Sequence, residues 1–313
     1  MENHKSRVNK IKEIENNLKS SVITLIYNTS NTRFKTQLAS DVIPSLNELL
    51  KTIQTKRGEG TVTLVLHSSG GFIDVIGSFI YLLRKKFSKF NVAIPAIAHS
   101  AATLLCLGSD TILMNDLSSL SPVDPQIMLR TQSGSIGASA EDIKGYYSLI
   151  DSMFKDDSAK IQAFIALLNR FPAEILGHME RIQKQTEMVA TKALQYQLKD
   201  KKKIKEIVNK IQRDFYSHDY RIHYEEAKKV GVKVQMMNDK IETLCYDLLS
   251  LYEKSFGGQS DLEIEIPENE TSKEIIIRRA YLECANCSFS YKTRYRVFKD
   301  KKVEVDELGW SKN

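Results

Sequence analysis

The chain has 313 residues, 42% of them hydrophobic and 27% charged, with a formal net charge of +6. That is enough apolar material for a large core, with room for one α/β domain plus an appendage; the dispersed positive charge gives no support to a nucleic-acid partner. Four cysteines, at 106, 245, 284 and 287, are too scattered for a disulfide framework and point to a reducing compartment.

Residues 1–20 are polar and highly charged, without a secretory pattern, and Val8, Ile11, Ile14 and Leu18 recur at the spacing of a short helix that docks on the core or on a neighbour. Val22 to Tyr27 is a predicted strand that leads through Asn28-Thr-Ser-Asn31 into a helix around 36–55. Thr61 to Leu66 is a β-like run ending in His67-Ser68-Ser69-Gly70-Gly71, and Val92 to Ala98 is a second, ending in His99-Ser100-Ala101-Ala102. An apolar helical pattern follows each polar turn, and Thr111 to Met114 is a further short strand. The alternation reads as a largely parallel sheet with crossover helices, whose sites lie at the carboxyl ends of neighbouring strands.

From about 141 to 213 the pattern becomes almost continuous helix, with Ile161, Phe164, Ile165 and Leu168, then Ile175, Met179, Ile182, Val189 and Ala193, at helical intervals. The basic run Lys199-Asp-Lys-Lys-Lys-Ile-Lys205 reads as a solvated helix face or exit loop. Val232-Lys-Val234 is a short strand, and Ile241, Leu244, Cys245, Leu248 and Tyr252 mark an amphipathic helix. Phe256-Gly-Gly-Gln-Ser-Asp261 breaks that pattern. Leu262 to Ile266, Ile275 to Ile277, Tyr291 to Val297 and Val303 to Val305 then predict a small antiparallel module over 256–313, for interaction or assembly.

The longest weakly polar run, Val92 to Gly108, contains Pro95, His99 and Ser100 and falls short of the roughly 20 apolar residues that a spanning helix needs. No membrane span is expected, and the chain reads as soluble and cytoplasmic. Cys106 and Cys245 fall on apolar helix faces as small hydrophobes. Cys284-Ala-Asn-Cys287 has the spacing of half a zinc knuckle, but no second half follows. His178 and His223 have no partner at metal-ligand spacing, so no metal is expected.

Gly70 and Gly71 let the backbone bring its N–H groups close to a substrate oxygen, and Ser100 starts a helix, among free N–H groups. A serine nucleophile and an oxyanion hole would then share one cleft. The same residues are also compatible with an ordinary strand-turn-helix in which Ser100 caps its helix. His67 and His99 flank the two turns and read as structural.

Four segments give the chain a resemblance to the Clp protease and crotonase superfamily, and within it to the serine dehydrogenase proteinase family, relatives of signal peptide peptidase A. They are Leu66-His-Ser-Ser-Gly-Gly-Phe72, Ala98-His-Ser-Ala-Ala102, Ser121-Pro-Val-Asp-Pro-Gln126 and the stretch from Ser217-His-Asp-Tyr to Lys-Val-Gly231. The resemblance spans about residues 20 to 235. It implies an α/β fold of stacked ββα units over 21–255, with a helical insertion at about 141–213 that covers the site or mediates assembly. It implies Ser100 as nucleophile, the Gly70 and Ala101 amides as oxyanion donors beside Gly71, Asp219 as the residue that orients the base, and no cofactor.

The base itself departs from the Clp pattern, because the stretch Ser121-Pro-Val-Asp-Pro125 contains no histidine. A serine hydroxyl still needs a group to take its proton. His218, beside Asp219, is placed first; Lys144, Lys155 and Lys160 are candidates of the signal-peptide-peptidase kind, and Asp124 is a base partner or orienter. If Asp219 faces the site along a strand, its neighbour His218 points the other way. The expected activity is a serine peptidase acting on a peptide or protein as a homo-oligomer. An acyl-coenzyme A enzyme of the crotonase kind and an inactive scaffold that has lost its base remain open.

Overall fold

The computed structural model describes residues 2–30, 36–124, 126–131, 134–215, 217, 219–256, 266, 270–300 and 302–313. Helix α1 (Glu2–Leu18) precedes β1 (Ser21–Tyr27), α2 (Val42–Thr52), β2 (Thr61–His67), α3 (Asp74–Lys86) and β3 (Lys89–Ala93). Then come β4 (Ile97–Ala98), α4 (Ala101–Leu107), β5 (Thr111–Met114), β6 (Ser119–Leu120) and a hairpin of β7 (Gln126–Thr131) and β8 (Gly134–Ser139). Four helices follow: α5 (Ala140–Met153), α6 (Asp157–Arg170), α7 (Ala173–Leu194) and α8 (Lys201–Arg213). The chain continues through α9 (Tyr224–Val230), β9 (Val234–Met236) and α10 (Asp239–Phe256) to the strands β10 (Ser272–Cys284), β11 (Cys287–Phe298) and β12 (Val303–Lys312).

One eight-stranded sheet, in the order β12-β11-β10-β1-β2-β3-β5-β9, organises the molecule. The strands from β1 to β9 run parallel, and β10 joins β1 antiparallel. β1 is a nearly continuous apolar run because both of its faces are covered. Ile23, Leu25 and Tyr27 point into one core with Leu46, Phe79, Leu104 and Leu194, whereas Val22 and Ile26 meet Ile11, Ile14, Leu244 and Leu248 from α1 and α10 in the other. A small separate core gathers Ala138 of β8 with Leu167, Phe171 and Met179 around α6 and α7, while Leu194 of α7 and Ile207 of α8 belong to the main core.

Several predicted elements take a different form in the structure. The helix expected around 36–55 begins only at Val42, because Leu38 pairs with the glycine turn: its N–H donates to the Gly70 carbonyl (2.9 Å) and its carbonyl accepts from Phe72 (2.8 Å). The run from Val92 to Ala98 is two strands in two sheets, β3 and β4, since Pro95 has no N–H to continue a ladder. The β7–β8 hairpin was not expected. The C-terminal strands are antiparallel as predicted, and they extend the central sheet through β10 instead of closing a sheet of their own. Leu262 to Glu265, within the strand expected at 262–266, lies outside the described residues. Asp200 caps α8, accepting from Lys202 and Lys203 N–H, so the basic run from Lys199 is split by its own helix cap.

Candidate active site

The glycine turn and the serine turn meet at the carboxyl ends of β2 and β4. Ser68 N–H donates to the Ile97 carbonyl (3.1 Å) and His99 N–H donates to the Ser68 carbonyl (3.0 Å), so β4 continues alongside the extension of β2. Gly70, at φ +104°, lies directly against Ser100. A Cβ added to Gly70 would stand 2.7 Å from Ser100 Cβ, 2.7 Å from the His99 carbonyl oxygen and 3.2 Å from Ala101 N. Gly71 faces the other way, where an added Cβ would lie 2.2 Å from the Leu38 carbonyl oxygen. Each glycine is required by close backbone approach, one to the serine and one to the segment that supports the turn.

Ser100 has φ 53° and ψ −122°, a conformation that side-chain-bearing residues rarely adopt, and its hydroxyl makes no capping hydrogen bond to α4 among the described residues. A helix-capping serine has extended backbone and an engaged side chain, and Ser100 shows neither among the described residues. The strained turn is held from behind. Ser100 N–H donates to Ser121 Oγ (2.7 Å), and Ser121 N–H donates to Thr103 Oγ1 (3.1 Å). The same Thr103 oxygen lies 2.8 Å from the Ala98 carbonyl and 3.0 Å from that of Ser121. Ser121 entered the sequence reading only as part of a turn and Thr103 not at all, since their role depends on two segments meeting.

Residues 1–275 match the family described as ClpP-like SDH-type serine proteinase. The chain belongs to this family. Two uncharacterized proteins of Methanocaldococcus jannaschii are similar to this proteinase-family chain. One is 25% identical over 274 residues, covering 86% of this chain and 84% of its own, and the other 26% identical over 266 residues, covering 82% of each. Among solved structures it is similar to a serine-to-alanine mutant of the 1510-N membrane-bound stomatin-specific protease, at 17% identity and TM-score 0.40, over 72% of this chain and 82% of that one. A mutant ClpP1 from Listeria monocytogenes is similar at 12% identity and TM-score 0.34, over 73% of this chain and 99% of that one. The fold of this family member is the Clp protease-like α/β architecture anticipated from its four segments. Among the described residues no helix is long and apolar enough to cross a membrane.

The remaining site residues of this SDH-type proteinase chain are placed as follows. Ala101 opens α4 and is fully buried. Asp124 is half-buried just past Val123, whose N–H donates to the Ile211 carbonyl of α8 (3.1 Å). Asp219 is exposed in the loop before α9, and His218 lies outside the described residues. The end of that loop is stitched to the serine-supporting strand: Leu120 and Ile222 exchange N–H···O bonds of 3.0 and 2.9 Å, and His223 Nδ1 lies 3.0 Å from the Ser118 carbonyl. Lys144 is engaged elsewhere, donating to Glu141 (2.8 Å) and Gln183 (2.9 Å). Lys155 is exposed. Lys160 pairs with Asp151, whose hydrogen bond raises the lysine pKa, the opposite of what a lysine base needs. Cys284 and Cys287 face each other across the β10–β11 turn, both buried. Among the described residues no three His, Cys, Asp or Glu side chains gather as a metal site.

His67, at the end of β2, is buried beside the turn, with Nε2 2.8 Å from Thr29 Oγ1 and Nδ1 without a hydrogen-bond partner among the described residues. Burial, reinforced by the charge of nearby His99, lowers its pKa from 6.5 to about 4. Because the folded state binds the proton less tightly than the unfolded chain, the stabilisation is complete above pH 6.5 and is lost as the pH falls toward about 4. The full effect is about 3 kcal/mol. Urea unfolding at several pH values is expected to show this decline in wild type and a flatter profile between pH 6.5 and 4 in His67→Gln. Parallel profiles for the two proteins would contradict it.

Proposed function

We propose that this chain is a serine peptidase that cleaves peptide bonds through an acyl-enzyme on Ser100. One observation carries the reading: Ser100 is held in a strained conformation, with no capping bond among the described residues, directly against the Gly70 backbone. Strain of this kind costs about 1–3 kcal/mol and persists where the surrounding structure enforces it, which is commonly at a reactive group.

In this mechanism Ser100 Oγ attacks the substrate carbonyl carbon while a base takes its proton. The carbonyl oxygen becomes an oxyanion held by the N–H groups of Gly70 and Ala101, with Gly71 supporting the turn. The amine leaves with a proton returned by the base, and water then cleaves the acyl-enzyme. The base is His218, oriented by Asp219, with Asp124 as a second carboxylate beside the cleft. Support comes from the tie between Ile222 and Leu120, which fastens this loop one residue before Ser121, whereas Lys144 and Lys160 are occupied by other partners.

The enzyme acts as a cytoplasmic homo-oligomer on peptides or proteins. Self-association is supported by Tyr147, Met153, Ile161 and Phe164, which α5 and α6 leave exposed, and a reducing compartment by four free thiols. The test is incubation with a fluorophosphonate probe followed by peptide mapping. An adduct on the Ser100 peptide is the expected result. A folded, assembled protein that acquires no adduct, or carries it only elsewhere, would turn the reading to a binding protein on the same fold.

A further inference from the structure

The Gly70 N–H, assigned above to the oxyanion, is already in use. It donates to Ser68 Oγ at 3.0 Å, and Ser68 is fully buried. The Ser68 main chain is fastened by both of its bonds to the β4 segment, so the hydroxyl stays beneath the turn. Among the described residues that hydroxyl is bonded to Gly70 alone, and the bond joins residues two apart inside the turn that touches Ser100. One N–H carries one proton and cannot serve two acceptors at full strength. A neutral hydroxyl is the weaker acceptor, because hydrogen bonds to an ionised oxygen are roughly twice as strong.

We infer that Ser68 is a positioning residue that latches the oxyanion hole: its hydroxyl holds the Gly70 N–H in a resting orientation and releases it only when negative charge forms on the substrate carbonyl oxygen. The inference rests on the reading of Ser100 as nucleophile and adds a ground-state competitor to it. The latch keeps a buried donor satisfied while the site is empty, since an orphaned amide would be destabilising. Its consequence is that breaking the Ser68 bond is part of the barrier. Removing the acceptor raises kcat and leaves KM unchanged, because the competition ends only in the transition state.

The test uses the full-length protein and compares wild type, Ser68→Ala, Ser68→Cys and Ser68→Thr by fluorophosphonate labelling rate and by kcat and KM on a short acyl p-nitrophenyl ester. Alanine, which has no acceptor, and cysteine, which has a weak one in a similar volume, are expected to raise the labelling rate and kcat about three- to tenfold at constant KM, the worth of one neutral hydrogen bond. Threonine keeps the acceptor and is expected to stay near the wild-type rate. Alanine and cysteine variants at or below the wild-type rate would overturn the inference, as would a failure of both to fold, which would make the hydroxyl structural. Wild type that labels at Ser100 with unresponsive Ser68 variants removes the latch alone; wild type that never labels removes the nucleophile and the latch together.

Discussion

A Ser100→Gly variant is expected to be inactive and yet more stable than wild type. The hydroxyl is lost, so acylation should fall by a factor on the order of 10⁶, as when a serine nucleophile is removed from a hydrolase. The backbone at φ 53° and ψ −122° remains as it is, and glycine adopts it without the steric penalty that any Cβ meets there. Relief of that penalty, about 1–3 kcal/mol, outweighs the extra chain entropy that glycine brings to the unfolded state, about 0.4–1 kcal/mol, and leaves a net gain of about 1 kcal/mol. Ser100→Ala supplies the control: it is equally inactive, but it keeps the Cβ and therefore the strain. Chemical denaturation of the three proteins checks the order. If Ser100→Gly is no more stable than Ser100→Ala, the strain at this turn has no energetic reality, and the observation behind the proposed nucleophile loses its force.

The second large effect lies far from the site. Arg7 of α1 holds the carboxylate of Glu283 in β10 with both arms of its guanidinium, Nε at 2.8 Å and Nη2 at 2.9 Å. Glu283 also accepts from Tyr252 Oη (2.6 Å) and Ser288 Oγ (2.5 Å), and Arg7 lies over the rings of Tyr252 and Tyr281. Burial pushes the Glu283 carboxyl up, but the hydrogen bond and charge of Arg7, with the two hydroxyls, pull it below its ordinary value. Its contribution is therefore present above the unfolded carboxylate pKa and lost as the pH falls through the lower folded value. Arg7→Met leaves a buried carboxylate without its cation, and the expected loss is about 3–5 kcal/mol at neutral pH. The double variant Arg7→Met with Glu283→Leu removes both charges and is expected to recover most of that loss, because the pair is offset by its own desolvation. Thermal and urea unfolding of the single and double variants test this; a double variant as unstable as the single would place the stabilisation in the polar network itself.

The parts of the fold that sequence made legible are those set by neighbours along the chain. Buried parallel strands show as unbroken apolar runs, so β1, β2 and β5 were readable within a residue or two. Gly70 and Gly71 announce a turn that only glycine can form, and Ser100 follows a strand and opens a helix. The β7–β8 hairpin escaped because Gly134 to Ser139 is made of glycine, serine and alanine around one isoleucine, residues with little strand preference. The split of β3 from β4 escaped because Pro95 ends one ladder while the apolar pattern runs on. Ser68 carried a signal, a hydroxyl two residues before a glycine amide, but the same spacing is common in turns of no chemical consequence.

The sequence alone determined the class of the molecule, the place of β1, β2 and β5 and the two polar turns, because each depends on periodicity or on a single residue's backbone freedom. Only the tertiary structure decided that Leu38 clamps the glycine turn, that Thr103 and Ser121 brace Ser100, and that β10 joins β1 and so adds the last three strands to the central sheet. It also decided that Arg7 meets Glu283, a partner 276 residues away. Such contacts are selected by sheet order and burial, where a charge or hydroxyl must find whichever complementary group the packing brings near, and no local pattern encodes which group that is.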